Sequence, residues 1–362
     1  MSPLTTSLLS VRNLSVQFGP AEQPIAAVTN ASFSMEQGQI VGVVGESGSG
    51  KTTMCTALMR SLPDSARITG DIDFDGQSLL TLSPAQMRAI RGRDISMILQ
   101  NPMTSLDPLF TIGNQTTEVL QLRRPRLGPS EQDAIDLLRK VRITAPEMRV
   151  RQYPHQMSGG MKQRILTAFA TASSPKLLIA DEPTTALDAT VQEEILSLFC
   201  EIRQTSNVAI IIVTHDLSVV RRISDRTIVM YAGRIVESGP TQRVFGAPQH
   251  PYTQGLIGSM PRVVQGRVEL SSIPGQVPRL DQLGSGCAFA ARCLHATDVC
   301  EQALPAPRRV GEDHHVVCWH GEANTSNLPG TLSSDISSAL PGTLPQSHRH
   351  TSAVLNTQQS IQ

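Results

Sequence analysis

The sequence predicts an α/β protein built around a parallel sheet. Three short apolar runs carry that prediction: Ile40-Val41-Gly42-Val43-Val44, Leu177-Leu178-Ile179-Ala180 and Ala209-Ile210-Ile211-Ile212-Val213. A run without polar alternation suits a strand covered on both faces. Each run leads into sequence with helical character, and strands alternating with helices imply an α/β parallel sheet. At 362 residues the chain is long enough for two ordinary domains, or one large domain with an extension.

The elements follow in order. Leu9 to Phe18 alternates in the manner of a strand, and Ala31 to Met35 is a second candidate, ended by the turn-like Glu36-Gln37-Gly38-Gln39. Residues 52–61, after the first buried run, read as helix. Met97-Ile98-Leu99-Gln100 reads as a strand ending in an amide. Helical periodicity dominates about 100–165, as in Glu131 to Val141, and residues 227–237 read as the closing strand. From about residue 240 prolines, isolated apolar residues and four cysteines replace this pattern. After residue 321 Asn, Thr, Ser, Gly, Pro, Gln and His prevail, the composition of a disordered tail.

Composition narrows the class. Lys plus Arg and Asp plus Glu are both 31, so the formal charge is +0. A protein that grips nucleic acid through phosphates usually carries a basic surplus, which argues against a nucleic-acid partner. No apolar run approaches the ~18–20 residues that span a bilayer. The N-terminus lacks a basic segment followed by an apolar one, so a cytosolic chain is expected, with any membrane role exerted through a partner. In that reducing setting the six cysteines are not read first as disulfides. Cys55 and Cys200 fall in predicted helices and read as core.

Gly45-Glu46-Ser47-Gly48-Ser49-Gly50-Lys51-Thr52 fits G-x-x-x-x-G-K-[ST] between a predicted strand and a predicted helix. Its glycines permit a loop of backbone N–H groups around an anion, and the helix N-terminus points positive charge at the same place. Lys51 would reach β- and γ-phosphates, and the Thr52 hydroxyl would ligate Mg²⁺. The run 177–180 ends in Asp181-Glu182, two acids at the sheet edge where ligands of open parallel sheets bind. Asp181 would hold Mg²⁺ and Glu182 would polarise an attacking water, the two tasks of γ-phosphate hydrolysis. Alone, the same residues would read as a turn ended by Pro183. The run 209–213 leads through Thr214 to His215, placed to donate a hydrogen bond to the γ-phosphate. Gln100 could touch both metal and water without adding charge. Ser158-Gly159-Gly160 before a helix is a second anion cradle lacking its own Lys-Thr, which suits a nucleotide held by another subunit.

Together these residues resemble the ATP-binding subunit of an ATP-binding-cassette (ABC) transporter over about residues 8–321. Gly45, Ser47, Gly48, Gly50, Lys51, Thr52 and the adjoining Thr53 match the Walker A cofactor-binding segment, and Gln100 matches the Q-loop. Ser158-Gly159-Gly160-Met161-Lys162-Gln163 matches the signature motif, and Asp181 and Glu182 match Walker B with its catalytic glutamate. Ala186-Leu187-Asp188 matches the D-loop, His215 the switch histidine, and Phe18 the aromatic that stacks on adenine. Gln100 to Pro108, Tyr153 to Met161 and His250-Pro251-Tyr252-Thr253, followed by Leu256 and Pro261, are similar to the dipeptide/oligopeptide/nickel import subfamily. Met157 and Phe169 depart from its usual pattern but lie outside the catalytic set.

The resemblance implies a P-loop NTPase fold with a RecA-like core, an antiparallel β subdomain and a helical subdomain at about 101–165, all within 1–240. A cysteine-bearing extension at 241–321 and the tail at 322–362 would follow. It implies catalytic roles for Glu182, His215 and Gln100, with Mg²⁺ on Thr52, Gln100 and Asp181. It implies ATP hydrolysis driving import of di- or oligopeptides, with nickel or another small solute as the alternative cargo. A soluble ATPase acting on nucleic acid or ribosomes is the reading from a different class. Implied partners are a second, related ATPase subunit, two transmembrane permease subunits and an extracytoplasmic solute-binding protein. The chain would sit peripherally on the cytoplasmic face of the membrane.

Cys287, Cys293, Cys300 and Cys318 are spaced C-x5-C-x6-C-x17-C, unlike structural zinc pairs or ferredoxins. In peptide-importer extensions such cysteines can hold a [4Fe–4S] cluster, so the resemblance raises an iron–sulfur expectation, ahead of zinc. The alternative is unligated thiols that pack a small extension.

Overall fold

A computed structural model describes residues 7–20, 22–100, 105–123, 128–185, 187–260, 262–264, 267–269 and 272–320. The Q-loop residues Asn101 to Thr104, Ala186 of the D-loop, Pro261 and the 322–362 stretch lie outside the described residues.

Strand β1 (Leu9–Phe18) pairs antiparallel with β2 (Ile25–Met35) on one side and with a later strand, Arg67–Phe74, on the other. The parallel sheet begins with β3 (Ile40–Val44), fully buried as its all-apolar sequence requires. Arg67–Phe74 is β4, and with the short β5 (Gln77–Ser78) it completes a four-stranded antiparallel sheet. Its polar text, Arg-Ile-Thr-Gly-Asp-Ile-Asp-Phe, hides it in the sequence: only Ile72 and Phe74 are buried, and cross-strand pairing rather than apolar content makes it a strand.

The second sheet has eight strands. Its centre runs β3, β8 (Ala209–Thr214), β7 (Leu177–Asp181), β6 (Ile95–Ile98), all parallel. On the other side of β3 lies β9 (Arg226–Tyr231), also parallel, then β10 (Arg234–Pro240), antiparallel. The single strand expected at 227–237 is therefore a hairpin. Ala232 and Gly233 take φ of +44° and +81°, the left-handed pair that a tight two-residue hairpin turn requires.

Side chains alternate between the two faces of this sheet. Val41, Val43, Ile179, Ile211 and Val213 pack against the four-stranded sheet. Ile40, Leu178, Ala180, Ile210 and Ile212 pack against a helical layer that includes Glu131–Lys140, Gly159–Thr171 and Ala189–Ser206. Each fully buried Ile or Leu contributes about 1.5–3 kcal/mol relative to exposure, so this two-sided burial is what fixes strand identity. Glu131–Lys140 starts at a capping box: the Ser130 side chain accepts from the Asp133 N–H at 3.2 Å, and Asp133 returns a bond to the Ser130 N–H at 2.8 Å.

The extension joins the same sheet. After the hairpin β11 (Arg262–Val264) and β12 (Arg267–Glu269), strands β13 (Arg308–Gly311) and β14 (His314–Val316) add to β10, with Glu237 opposite Val316. Buried Glu237 accepts from the Gln249 and His250 N–H groups, both at 2.8 Å, and lies 2.8 Å from His314 Nε2. A buried carboxylate demands such partners, and here they knit the start of the extension to its last strand. No helix among the described residues is long and apolar enough to cross a membrane.

Gly42 sits at the middle of β3, where a Cβ would stand 2.4 Å from Val220 Cγ1 and 2.8 Å from Ser224 Oγ. Gly42→Ala should overpack this contact and cost about 1–3 kcal/mol. Chemical denaturation of the full chain checks this, and an unchanged midpoint would show that the helix Leu217–Ile223 does not press on β3 as described.

Candidate functional site

The strand register decides what meets at the sheet edge. Val44 is opposite Thr214, Asp181 opposite Val213, and Ile98 opposite Ala180. Gly45, His215, Glu182 and Gln100 therefore step off the C-terminal edge side by side, the edge where ligands of open parallel sheets bind.

The phosphate loop leaves β3 at Gly45. Gly48 and Gly50 have φ of +77° and +93°, and a Cβ on Gly50 would lie 2.5 Å from the Ala27 carbonyl oxygen. Other residues would be strained at both positions, so the glycines allow the loop its curvature. The helix Lys51–Leu58 starts directly after Gly50 and directs its N-terminus into the loop. Lys51 is buried, and its Nζ donates to the carbonyl oxygens of Gly45 at 2.8 Å and Glu46 at 2.9 Å, and to Ser49 Oγ at 3.3 Å. Burial draws the Lys51 ammonium below its ordinary pKa, while the nearby carboxylates of Glu182 and Asp181 pull it back up. Ser47, Gly48 and Thr52 are exposed and Thr53 is half-buried.

Asp181 is 1% exposed at the end of β7. Burial pushes its carboxyl upward, against a hydrogen bond from Thr52 and the Lys51 charge. Its Oδ1 has no hydrogen-bond partner among the described residues. A buried carboxylate oxygen without a partner, with a threonine hydroxyl bonded beside it, is the oxygen donor set that a hard divalent cation takes. Mg²⁺ fits these residues.

Glu182 is the meeting point of the edge. Its Oε2 accepts from Gln100 Nε2 at 3.0 Å and Thr185 Oγ1 at 2.9 Å, and its Oε1 lies 3.2 Å from His215 Nδ1. Burial favours the neutral acid, yet the hydrogen bonds from His215 and Thr185, the His215 charge and the Gln100 amide bring its pKa below the ordinary value. Its backbone has φ +48° while its N–H donates to the Val213 carbonyl at 2.8 Å. A non-glycine residue held there costs on the order of 1–3 kcal/mol, and the bond to β8 holds it in place. Gln100 donates its amide to Glu182 and so stands at the edge beside the carboxylate pair. Thr185 was not foreseen, because in Asp-Glu-Pro-Thr-Thr it reads as an ordinary turn residue.

Other predicted residues have partners of their own. Ser158 caps the helix Gly159–Thr171, its Oγ accepting from the Met161 N–H at 3.3 Å. The nearest neighbours of Gly159 and Gly160 are Leu187 and Val191, and a Cβ on Gly160 would meet Val191 Cγ1 at 2.4 Å. A close helix contact thus also requires glycine here. Asp188 caps Ala189–Ser206, accepting from the Val191 N–H at 3.0 Å. Phe18 ends β1 opposite Ile25 and packs partly on the core.

The iron–sulfur expectation is corrected. Among the described residues no group of three or more His, Cys, Asp or Glu side chains is placed to hold a metal ion. Cys287, Cys293, Cys300 and Cys318 are free thiols facing a small, largely apolar cavity that Phe289 and His250 also line. Burial pushes the thiols of Cys287, Cys293 and Cys318 above their ordinary pKa. The arrangement is that of thiols packing a small extension.

Comparison with known proteins agrees with this geometry. The family model described as ABC transporter matches residues 28–185, and that of the oligopeptide/dipeptide transporter C-terminal region matches 236–300. The chain is 43% identical over 316 residues to the dipeptide transport ATP-binding protein DppD of Escherichia coli (strain K12), covering 87% of this chain and 97% of that protein. It is 42% identical over 319 residues to the oligopeptide transport ATP-binding protein OppD of Bacillus subtilis (strain 168), covering 87% and 89%. Among solved structures, the ATP-binding cassette MJ0796 in a dimeric post-hydrolysis state bound to ADP and Pi superposes with a TM-score of 0.57 at 26% identity, covering 64% of this chain and 98% of that one.

Glu182→Gln keeps the shape and the bonds from Gln100 and Thr185 but removes the carboxylate that the sequence marks as the expected base. It should lower kcat for ATP by about 10²–10⁴-fold and leave ATP binding intact. Retained turnover in a steady-state phosphate-release assay would remove Glu182 from that role.

Proposed function

Because the chain belongs to the ABC transporter ATP-binding proteins, and its C-terminal region is of the oligopeptide/dipeptide kind, we propose that it hydrolyses ATP to drive uptake of di- and oligopeptides through a membrane permease. The observation that carries the chemistry is the convergence of Gln100, Thr185 and His215 on Glu182, beside the loop that holds Lys51.

Each residue then has a task. The loop amides and the helix N-terminus after Gly50 receive the phosphates. Lys51 exchanges its bonds to the Gly45 and Glu46 carbonyls for the β- and γ-phosphates, so binding replaces internal hydrogen bonds rather than desolvating a free ammonium. Thr52, Asp181 and Gln100 would hold Mg²⁺, which when bound supplies charge neutralisation at the phosphates. Glu182 accepts a proton from the attacking water. His215 and Gln100 orient its carboxylate until the γ-phosphate competes for them. Phe18 would stack on the adenine.

Within their own chain Ser158 and Asp188 cap helices and Gly159 and Gly160 face Leu187 and Val191, and in our reading these four residues complete a nucleotide site on a second ATPase subunit. That subunit is a related gene product in our proposal, and two permease subunits and an extracytoplasmic solute-binding protein complete the transporter. Leu99, Leu109, Phe110 and Leu122 stay exposed on and near the segment after Gln100, which supports docking of the permease there on the cytoplasmic side. In this plan residues 1–240 are the ATPase, 241–321 the extension and 322–362 a tail.

Detergent purification should return this chain with two permease subunits and peptide-stimulated ATPase activity. Recovery with ribosomes or nucleic acid alone would refute the importer reading. Lys51→Ala should weaken MgATP binding by about 10–100-fold, the loss of one charged hydrogen-bonding group. Equilibrium titration with a fluorescent ATP analogue measures it, and an unchanged Kd would mean that Lys51 does not reach the phosphates.

A further inference from the structure

Glu46, inside the phosphate loop, is gripped from the extension by all the polar groups it has left. Its backbone N–H donates to Tyr252 Oη at 2.8 Å. Its carboxylate takes a bidentate pair from Arg292, with Nη1 to Oε2 at 2.7 Å and Nη2 to Oε1 at 3.0 Å. Its carbonyl, as described above, accepts from Lys51. The partners lie about 200 and 250 residues away in sequence, at separations of 206 and 246.

The gripping side chains are themselves fixed. The Arg292 side chain is only 5% exposed. Its Nε donates to the Pro274 carbonyl at 2.9 Å and its Nη1 to Tyr231 Oη at 3.2 Å. The guanidinium carbon lies 5.7 Å from the ring centres of both Tyr231 and Phe289. Tyr252 is fully buried against those two rings. A planar fork with this much support imposes an orientation on the carboxylate that it holds.

We propose that Arg292 and Tyr252 are positioning residues of the nucleotide site, through which the C-terminal extension sets the affinity of the phosphate loop for ATP. Two effects act in the same direction. The clamp fixes Glu46, and with it the carbonyl on which Lys51 rests. Arg292 also neutralises a carboxylate that would otherwise stand unpaired beside the incoming triphosphate, where like charges repel strongly in a partly buried setting. Because the coupling is between two binding events, it is reciprocal: ATP should also tighten the docking of the extension.

The inference rests on the nucleotide site described above, and titration of the wild-type full chain with MgATP tests that site separately: absence of binding would defeat the nucleotide reading itself. Given wild-type binding, Arg292→Met should raise the Kd about tenfold, within the usual range of such couplings. Adding Glu46→Gln should restore most of that loss, since the unpaired charge is gone. Tyr252→Phe keeps the ring and removes only the acceptor of the Glu46 N–H, so it should raise the Kd about threefold to fivefold. A merely structural Arg292 would lower Tm while the Kd of the folded protein stayed at the wild-type value, and Glu46→Gln would then rescue nothing. That pattern, or a wild-type Kd in Tyr252→Phe, overturns the proposal. Should Arg292→Met fail to fold, Tyr252→Phe decides alone.

Discussion

The hydrogen-bond register of β6, β7, β8 and β3 places every reactive side chain of the site. A parallel ladder permits no local choice once one pair is set: Asp181 opposite Val213 and Val44 opposite Thr214 put the phosphate loop, the acid pair and the histidine on one line. Slipping one strand by a residue would turn all its side chains to the other face. Here that would exchange the two apolar sets that meet the antiparallel sheet and the helical layer. Burial on both faces therefore makes the register expensive to change, and the site inherits its geometry from the core rather than from its loops.

The charged groups of the site are largely satisfied by one another and by the backbone. Lys51 rests on loop carbonyls and Glu182 is held by an amide, a hydroxyl and an imidazole. Asp181 Oδ1 differs: it is buried and has no partner among the described residues. Internal satisfaction keeps a cluster of charges from unfolding the edge, because an unpaired buried charge is far costlier than a paired one. It also means that ATP must compete for donors already in use. The left-handed backbone of Glu182 is strain kept at the same point, held by its bond to β8.

Much of this was legible in the sequence, for physical reasons that can be traced residue by residue. The three apolar runs declare buried strands because nothing polar interrupts them, and the Gly-rich loop declares itself because only glycine tolerates φ values such as those at Gly48 and Gly50. Gln100, Glu182 and His215 were recognisable because each stands just past a strand end, and register then brings them together. Strand β4 was not legible, since its stability lies in pairing with β1 rather than in its own pattern. Nor was the turn at Ala232-Gly233 within what reads as one strand. The cysteine group misled: four cysteines close in sequence suggest ligation, while burial leaves their thiols lining an apolar cavity.

The extension illustrates the limit most clearly, because its relation to the site exists only through contacts with no local signature. An Arg beside a cysteine and a Tyr after a proline say nothing about a glycine-rich loop some 200 residues earlier. Only when β10 and β14 join the core sheet, with Glu237 tying both ends of the extension together, do Tyr252 and Arg292 arrive at Glu46. The extension could have been docked by apolar contacts alone, since Tyr231, Tyr252 and Phe289 already pack ring against ring. A buried ion pair is a poor choice for adding stability there, as well-packed apolar side chains of similar volume usually do as well or better. Its particular property is to make position and charge at Glu46 depend on the extension. That dependence reaches Lys51 through one carbonyl, so side chains separated from Glu46 by 206 and 246 positions in sequence lie two hydrogen bonds from Lys51 in space.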